Sequence, residues 1–301
     1  MAEVFRISRE LGETIWTGWN EPPFAVLLVT RDYEFLIRHP RPAKDFLPLG
    51  FDSLLQSRVF YRERVFEPTL LATFPAVGRI STIVIGQAEN TEAKTSSRWV
   101  ITMMHERFHQ LQYNQPDYTL NVGRLDLSQG DQSGMWMLNF PFPYDTVKVY
   151  RQFNLLARKL RETLLTENPV FTFELNRYLA RRKEFKEMLP DSAYRYLSFQ
   201  LWQEGVARYT EIVMAELLGK VYEPTEAFQS LNDYVAFSQE ARNLRRAMLV
   251  RLRTMSLKET RRESFYAFGA AEALLLDRVN PDWKRTYFSD PFFLERHFVK
   301  D

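Results

Sequence analysis

Residues 99–114, WVITMMHERFHQLQYN, constrain this chain more than any other stretch. They place His105, Glu106 and His109 in the spacing H-E-x-x-H. Residues four apart on a helix share one face, so the two imidazoles can close on a single metal ion. Glu106 sits about 100° further round the same turn. That is near enough to reach a metal-bound water without being a ligand, the position a general base needs. Thr95, Ser96 or Ser97 can cap the start of the helix, and Pro116 stops it near Asn114.

The chain has no cysteine, which leaves histidine and carboxylate as its strong metal ligands and excludes disulfides, thiolate zinc sites and cysteine nucleophiles. With 40 basic and 38 acidic residues the net charge is +2, which gives no reason to expect nucleic acid or an anionic membrane as the main partner. The start, MAEVFRISRELGETIW, lacks an apolar leader core, and apolar runs such as 24–29 are far too short to span a bilayer. A soluble protein is expected, cytoplasmic by default or exported if a leader has been removed; the sequence leaves compartment and oligomeric state open.

Residues 1–90 read as strands and turns, with strand candidates at 24–30, 34–40, 58–66, 69–75 and 80–87 and a helical or loop piece near 51–57. The expectation is a mixed sheet of about four or five strands. Residues 117–144 read as loop, including an aromatic cluster at 136–144 whose ordinary role is packing. Beyond Asp145 helices are expected at 145–166, 170–189, 192–218, within 225–256, at 260–278 and, short, near 291–299. The fold class is therefore α+β, a β-rich N-terminal lobe (1–90) followed by a mainly α-helical lobe (91–301) that carries the metal site, the two forming one compact unit.

A catalytic zinc takes three protein ligands, so a second helix must supply one more. The candidate lies in LWQEGVARYTEIV, where Glu204 heads an amphipathic helix, Glu211 follows seven residues later on the same face, and Gly205 and Ala207 allow close helix approach. HERFHQLQYN together with WQEGVARYTE resembles the gluzincin zinc metallopeptidases, in particular the aminopeptidase-N-like branch with its pattern W-x-x-E-G-x-A-x-x-x-x-E, when the shorter lead-in Trp202-Gln203-Glu204 is read as the same helix start. The resemblance implies that Glu204 is the third zinc ligand, beside His105 and His109. It also implies a tyrosine at a helix start of the form Y-x-x-G-A, here Tyr266-Ala267-Phe268-Gly269-Ala270, whose hydroxyl would assist the oxyanion. Glu211 is a candidate for orienting one of the histidines from behind.

The chain departs from that family in three ways. His109 and Glu204 are 95 positions apart, so a helical insertion is expected between the ligand helices of a thermolysin-like zincin architecture. Arg107 places a charge inside the motif, and no G-x-M-E-N-like segment precedes it. His39 and His297 have no chemical role in this reading, and the basic run 242–262 reads as a solvated helix face. The functional expectation is a zinc-dependent hydrolase holding one Zn2+ per chain, most simply a metallopeptidase acting on a peptide or protein, with Glu106 as general base. The alternatives are a gluzincin-like binding or interaction protein without activity, and a zinc hydrolase of a non-peptide amide or ester.

Overall fold

The structure, a computed structural model, describes residues 1–298. It is α+β, a six-stranded mixed sheet followed by a mainly helical region. By its contacts the chain divides into two compact units, Met1–Gln115 with Thr210–Asn243, and Pro116–Tyr209 with the described residues from Leu244 onward. Among the described residues no helix is long and apolar enough to cross a membrane.

The first unit opens with a helix, α1 (Ala2–Ile15), where strands and turns are expected from the sequence. Its inward residues Val4, Phe5, Ser8, Gly12 and Ile15 follow the three-to-four spacing of a helix face. The strands are β1 (Val26–Val29), β2 (Tyr33–Ile37), β3 (Leu47–Asp52), β4 (Ser57–Glu63), β5 (Leu71–Val77) and β6 (Ile80–Gly86), in the order β3-β4-β2-β1-β6-β5. Only β1 and β6 run parallel; Val26 pairs with Ile83 and Val29 with Gly86. These two neighbouring strands are the most deeply buried of the sheet. Strand β3 replaces the expected helical piece and brings the count to six. Almost all of it is exposed at a sheet edge and it is broken by a bulge between Pro48 and Gly50, so no alternation of apolar and polar residues marks it.

The helix that carries the metal motif, α2 (Ser96–Tyr113), starts at an N-cap where Thr95 Oγ1 accepts from the Arg98 amide. It packs on α1, β5 and β6 and is buried over most of its length. Polar side chains tie it down. Trp99 Nε1 donates to Gly86 O (2.8 Å), and Gln110 Nε2 donates to Ala25 O (2.9 Å) and Ser81 O (2.8 Å). Arg107, buried, donates to Trp19 O (2.6 Å), Pro22 O (2.8 Å), Pro23 O (3.1 Å) and Gln110 Oε1 (3.0 Å), and its guanidinium lies 4.7 Å from the Phe24 ring centre. Burial pulls its pKa down to about 9, which leaves it charged at neutral pH. The charge inside the motif thus serves the loop at 16–23.

In the second unit the segment expected as loop carries two short helices, α3 (Tyr118–Arg124) and α4 (Trp136–Asn139). Then come α5 (Val147–Leu165), α6 (Phe171–Met188) and α7 (Asp191–Gln200). A π-helical stretch, Leu201–Gly205, runs straight into α8 (Val206–Val221). From Thr210 to Asn243 the chain belongs to the first unit, where the expected helix within 225–256 is two, α9 (Glu226–Gln229) and the start of α10 (Phe237–Arg253). After α11 (Leu257–Thr260) the last long helix is α12 (Ser264–Val279). The short element near 291–299 is a 3-10 turn, Leu294–Phe298; residue 299 lies outside the described residues.

Helix α12 crosses the π-helical stretch backbone to backbone. A Cβ on Gly205 would lie 2.5 Å from Gly269 Cα, and one on Gly269 2.7 Å from Gly205 Cα. Each glycine is there because its neighbour leaves no room for a methyl group.

Gly269→Ala is expected to destabilise the protein by about 1–3 kcal/mol through overpacking. Arg107→Met, which strands buried carbonyls at 19–23, should cost about 3 kcal/mol. Denaturant unfolding monitored by circular dichroism measures both, and a wild-type midpoint for either variant would refute the packing described.

Candidate metal centre

His105 and His109 project from the same face of α2, their ring centres 4.7 Å apart and their Nε2 atoms 3.1 Å apart. Their other ring nitrogens are held. Glu211 Oε1 on α8 lies 2.8 Å from His105 Nδ1, and Gln112 Oε1 lies 2.7 Å from His109 Nδ1. An amide oxygen only accepts, so His109 Nδ1 carries the hydrogen and its Nε2 presents a lone pair; the Glu211 carboxylate close to His105 Nδ1 favours the same tautomer in that ring. Two lone pairs facing each other at this distance repel, unless a cation sits between them or one ring takes up a proton. Nitrogen ligands about 2.1 Å from a tetrahedral zinc stand about 3.4 Å apart, close to the observed separation.

Glu211 is itself fixed, since Arg98 Nη2 donates to its second oxygen (3.2 Å). Its burial beside two groups that bond both oxygens is the arrangement by which a carboxylate sets an imidazole's tautomer and raises its basicity. Glu106, also buried, turns to β5, where Thr73 Oγ1 donates to its Oε2 (2.7 Å) and lies 3.1 Å from its carbonyl oxygen.

Glu204 sits in the π-helical stretch, whose wider turn is closed by a bond from the Val206 amide to Leu201 O. Single π-turns of this kind recur at functional sites. The helical run 201–221 carries both Glu204 and, two turns later, Glu211. His105, His109 and Glu204 each offer one ligand atom, and these atoms all lie within 4.8 Å of one another, a donor set that could hold a metal ion.

Tyr266, in the first turn of α12, receives a hydrogen bond on its hydroxyl oxygen from Arg262 Nη1 (2.7 Å), and the same nitrogen is 3.5 Å from Glu204 Oε1. Burial, and then the nearby Glu204 carboxylate, push the phenol well above its usual pKa, which favours the neutral hydroxyl. His39 and His297 are engaged elsewhere, His39 with Val77 O (3.2 Å) and His297 with Thr286 Oγ1 (3.1 Å).

Four residues that sequence reasoning does not single out belong to this arrangement. Gln112 lies three positions after His109, one helical turn on, and Arg262 lies four before Tyr266, so helical spacing could have flagged both. Thr73 and Arg98 meet partners 33 and 113 positions away and carry no local signal. Comparison with protein-family models, curated proteins and solved structures gives no match.

Glu211→Gln and Gln112→Leu are each expected to weaken zinc binding about 10–100-fold while the fold is kept. Competition against a chromophoric chelator reads this directly. Unchanged affinity in both variants would show that the Nδ1 bonds do not set the ligands.

Proposed function

We propose that this chain is a zinc-dependent hydrolase and, most simply, a metallopeptidase of gluzincin type. In this reading His105, His109 and Glu204 hold one Zn2+ in a thermolysin-like arrangement. The observation that carries it is the two imidazole Nε2 atoms facing each other at 3.1 Å, with a side-chain oxygen close behind each ring. A bound divalent ion supplies Lewis acidity, making water easier to deprotonate and a carbonyl easier to attack.

The chain's own residues do the rest. Glu106, held by Thr73, takes a proton from the attacking water and returns it to the departing amine. Buried beside the histidines, the carboxylate works where charge interactions are stronger than in bulk water. Tyr266 donates its hydroxyl hydrogen to the oxyanion that develops on the carbonyl, a contribution of a few kcal/mol in comparable sites. Arg262, bonded to the phenol oxygen, orients that hydroxyl. The resemblance and this division of labour support amide hydrolysis in a peptide; the same residues would serve an ester or a non-peptide amide.

One observation favours a second reading, a metal-binding or interaction protein without activity. Glu204 has a cationic neighbour in Arg262, which competes with a metal ion for its carboxylate.

Elemental analysis and a peptide-library digest test the proposal together. Near one zinc per chain is expected in the wild type and in Glu106→Gln, and loss of the metal in His109→Ala and Glu204→Ala. Hydrolysis should fall about 10²–10⁴-fold in Glu106→Gln with its zinc retained. Chelation should abolish the activity and zinc should restore it. Cleavage by Glu106→Gln at the wild-type rate would sink the mechanism; a zinc-loaded wild type that cleaves nothing would favour the second reading.

A further inference from the structure

Within the first unit lies a second polar pocket, of about 620 Å³, at the end of β2 and the start of β4. Arg9, Arg38 and Arg58 line it with His39, Ser57 and Phe60, and among the described residues no carboxylate does. The three guanidiniums come from three separate segments: α1, the residue after β2, and β4.

Arg38 is the best fixed of the three. Its Nε (3.2 Å) and Nη2 (2.8 Å) both donate to Leu55 O, and its guanidinium stacks 3.8 Å from the Phe5 ring centre. Its backbone is left-handed, with φ of 54°, and Gln56 across the pocket has φ of 48°. Non-glycine residues hold that conformation at a cost, and such positions cluster where a ligand is gripped. Burial, and then the like charge of Arg9, lower the Arg38 pKa from its usual value. Three cations gathered without a lining counter-charge repel one another, and an anion would relieve this.

His39 adds no charge. Its Nδ1 accepts from the Arg41 amide (3.1 Å) and its Nε2–H donates to Val77 O (3.2 Å), which fixes the neutral ring as a wall. Ser57 is likewise committed, accepting from the Arg38 amide and donating to Arg58 O. Outside the lining, Arg9 Nη2 lies 3.5 Å from Glu10 Oε1, an oxygen that Arg6 Nε also bonds at 3.2 Å.

We propose that this pocket binds the phosphoryl group of a small soluble molecule, with Arg9, Arg38 and Arg58 as its ligands and Phe60 against the molecule's body. Guanidinium forks match both carboxylate and phosphate oxygens. Three guanidiniums from three segments carry more charge than one carboxylate offsets, and a phosphoryl or diphosphoryl group supplies both the charge and the acceptor oxygens. The volume suits a nucleotide-sized ligand.

The test is calorimetric titration of the full chain with inorganic pyrophosphate and with adenosine triphosphate, in about 0.15 M salt. Arg9→Glu, Arg58→Glu and the metal-centre variant His109→Ala are titrated in parallel. Saturable one-to-one binding is expected. It should weaken about tenfold or more in each arginine variant, as loss of a charge-assisted contact implies, and remain unchanged in His109→Ala. Both arginines are exposed, so their variants should keep the wild-type melting temperature without ligand, which scanning calorimetry checks. Absence of saturable binding, equal binding by all variants, or loss in His109→Ala alone would overturn the proposal. So would binding only to phosphoinositide-containing vesicles, since that would make the ligand a lipid surface.

Discussion

The candidate site depends on two contacts that do not point at it, the Glu211 carboxylate 2.8 Å from His105 Nδ1 and the hydrogen bond between His109 Nδ1 and Gln112 Oε1. Without them either ring could carry its hydrogen on either nitrogen, and the Nε2 atoms would be free to bond each other through a shared proton. With them, the lone-pair sides of both rings are committed to a common point. A buried carboxylate behind the first ring, itself anchored by Arg98, makes that commitment rigid.

The same logic runs through all of α2. Nearly all of this helix is buried, yet it carries histidine, glutamate, arginine and two glutamines on its inner turns. Each of these groups would cost several kcal/mol if buried without a partner. Instead Arg107 and Gln110 satisfy backbone carbonyls in the segment before β1 and at the start of β6, while Glu106 accepts from Thr73, so these bonds both fill the core's polar needs and fix the height of the helix on the sheet. A helix held by side-chain bonds at Trp99, Gln110 and Arg107 cannot slide or rotate without breaking several of them at once.

What could be read from the chain alone follows physical range. His105, Glu106 and His109 are legible because one helix, with its cap at Thr95 and its stop before Pro116, sets their spacing. The central strands are legible because double burial demands continuous apolar residues, and α5 and α6 because an amphipathic face repeats every three to four positions. Helix α1 was masked by a mixed pattern in which Glu3, Ser8 and Gly12 occupy inward positions. Strand β3 had no buried face to announce it. The acceptors behind the site, Glu211 with Arg98 and Thr73 with Glu106, join segments brought together only by tertiary packing, where local spacing carries no information. That Arg107 faces away from the histidines and into the loop could not be seen from its charge, which at first sight marks a departure from the metallopeptidase pattern.

Arg107 bears on how a chain of this kind can change over time. The guanidinium and the turn at 19–23 form one unit: four acceptors need that cation, and the cation needs those acceptors. Replacement of either alone leaves unmatched groups in the interior, so a lineage can cross from arginine to an apolar residue only by reshaping the turn in the same step or nearly so. Position 107, between the motif's glutamate and second histidine, is therefore a record of the loop ahead of the sheet, and sequences that differ at 107 should differ together at 19–23.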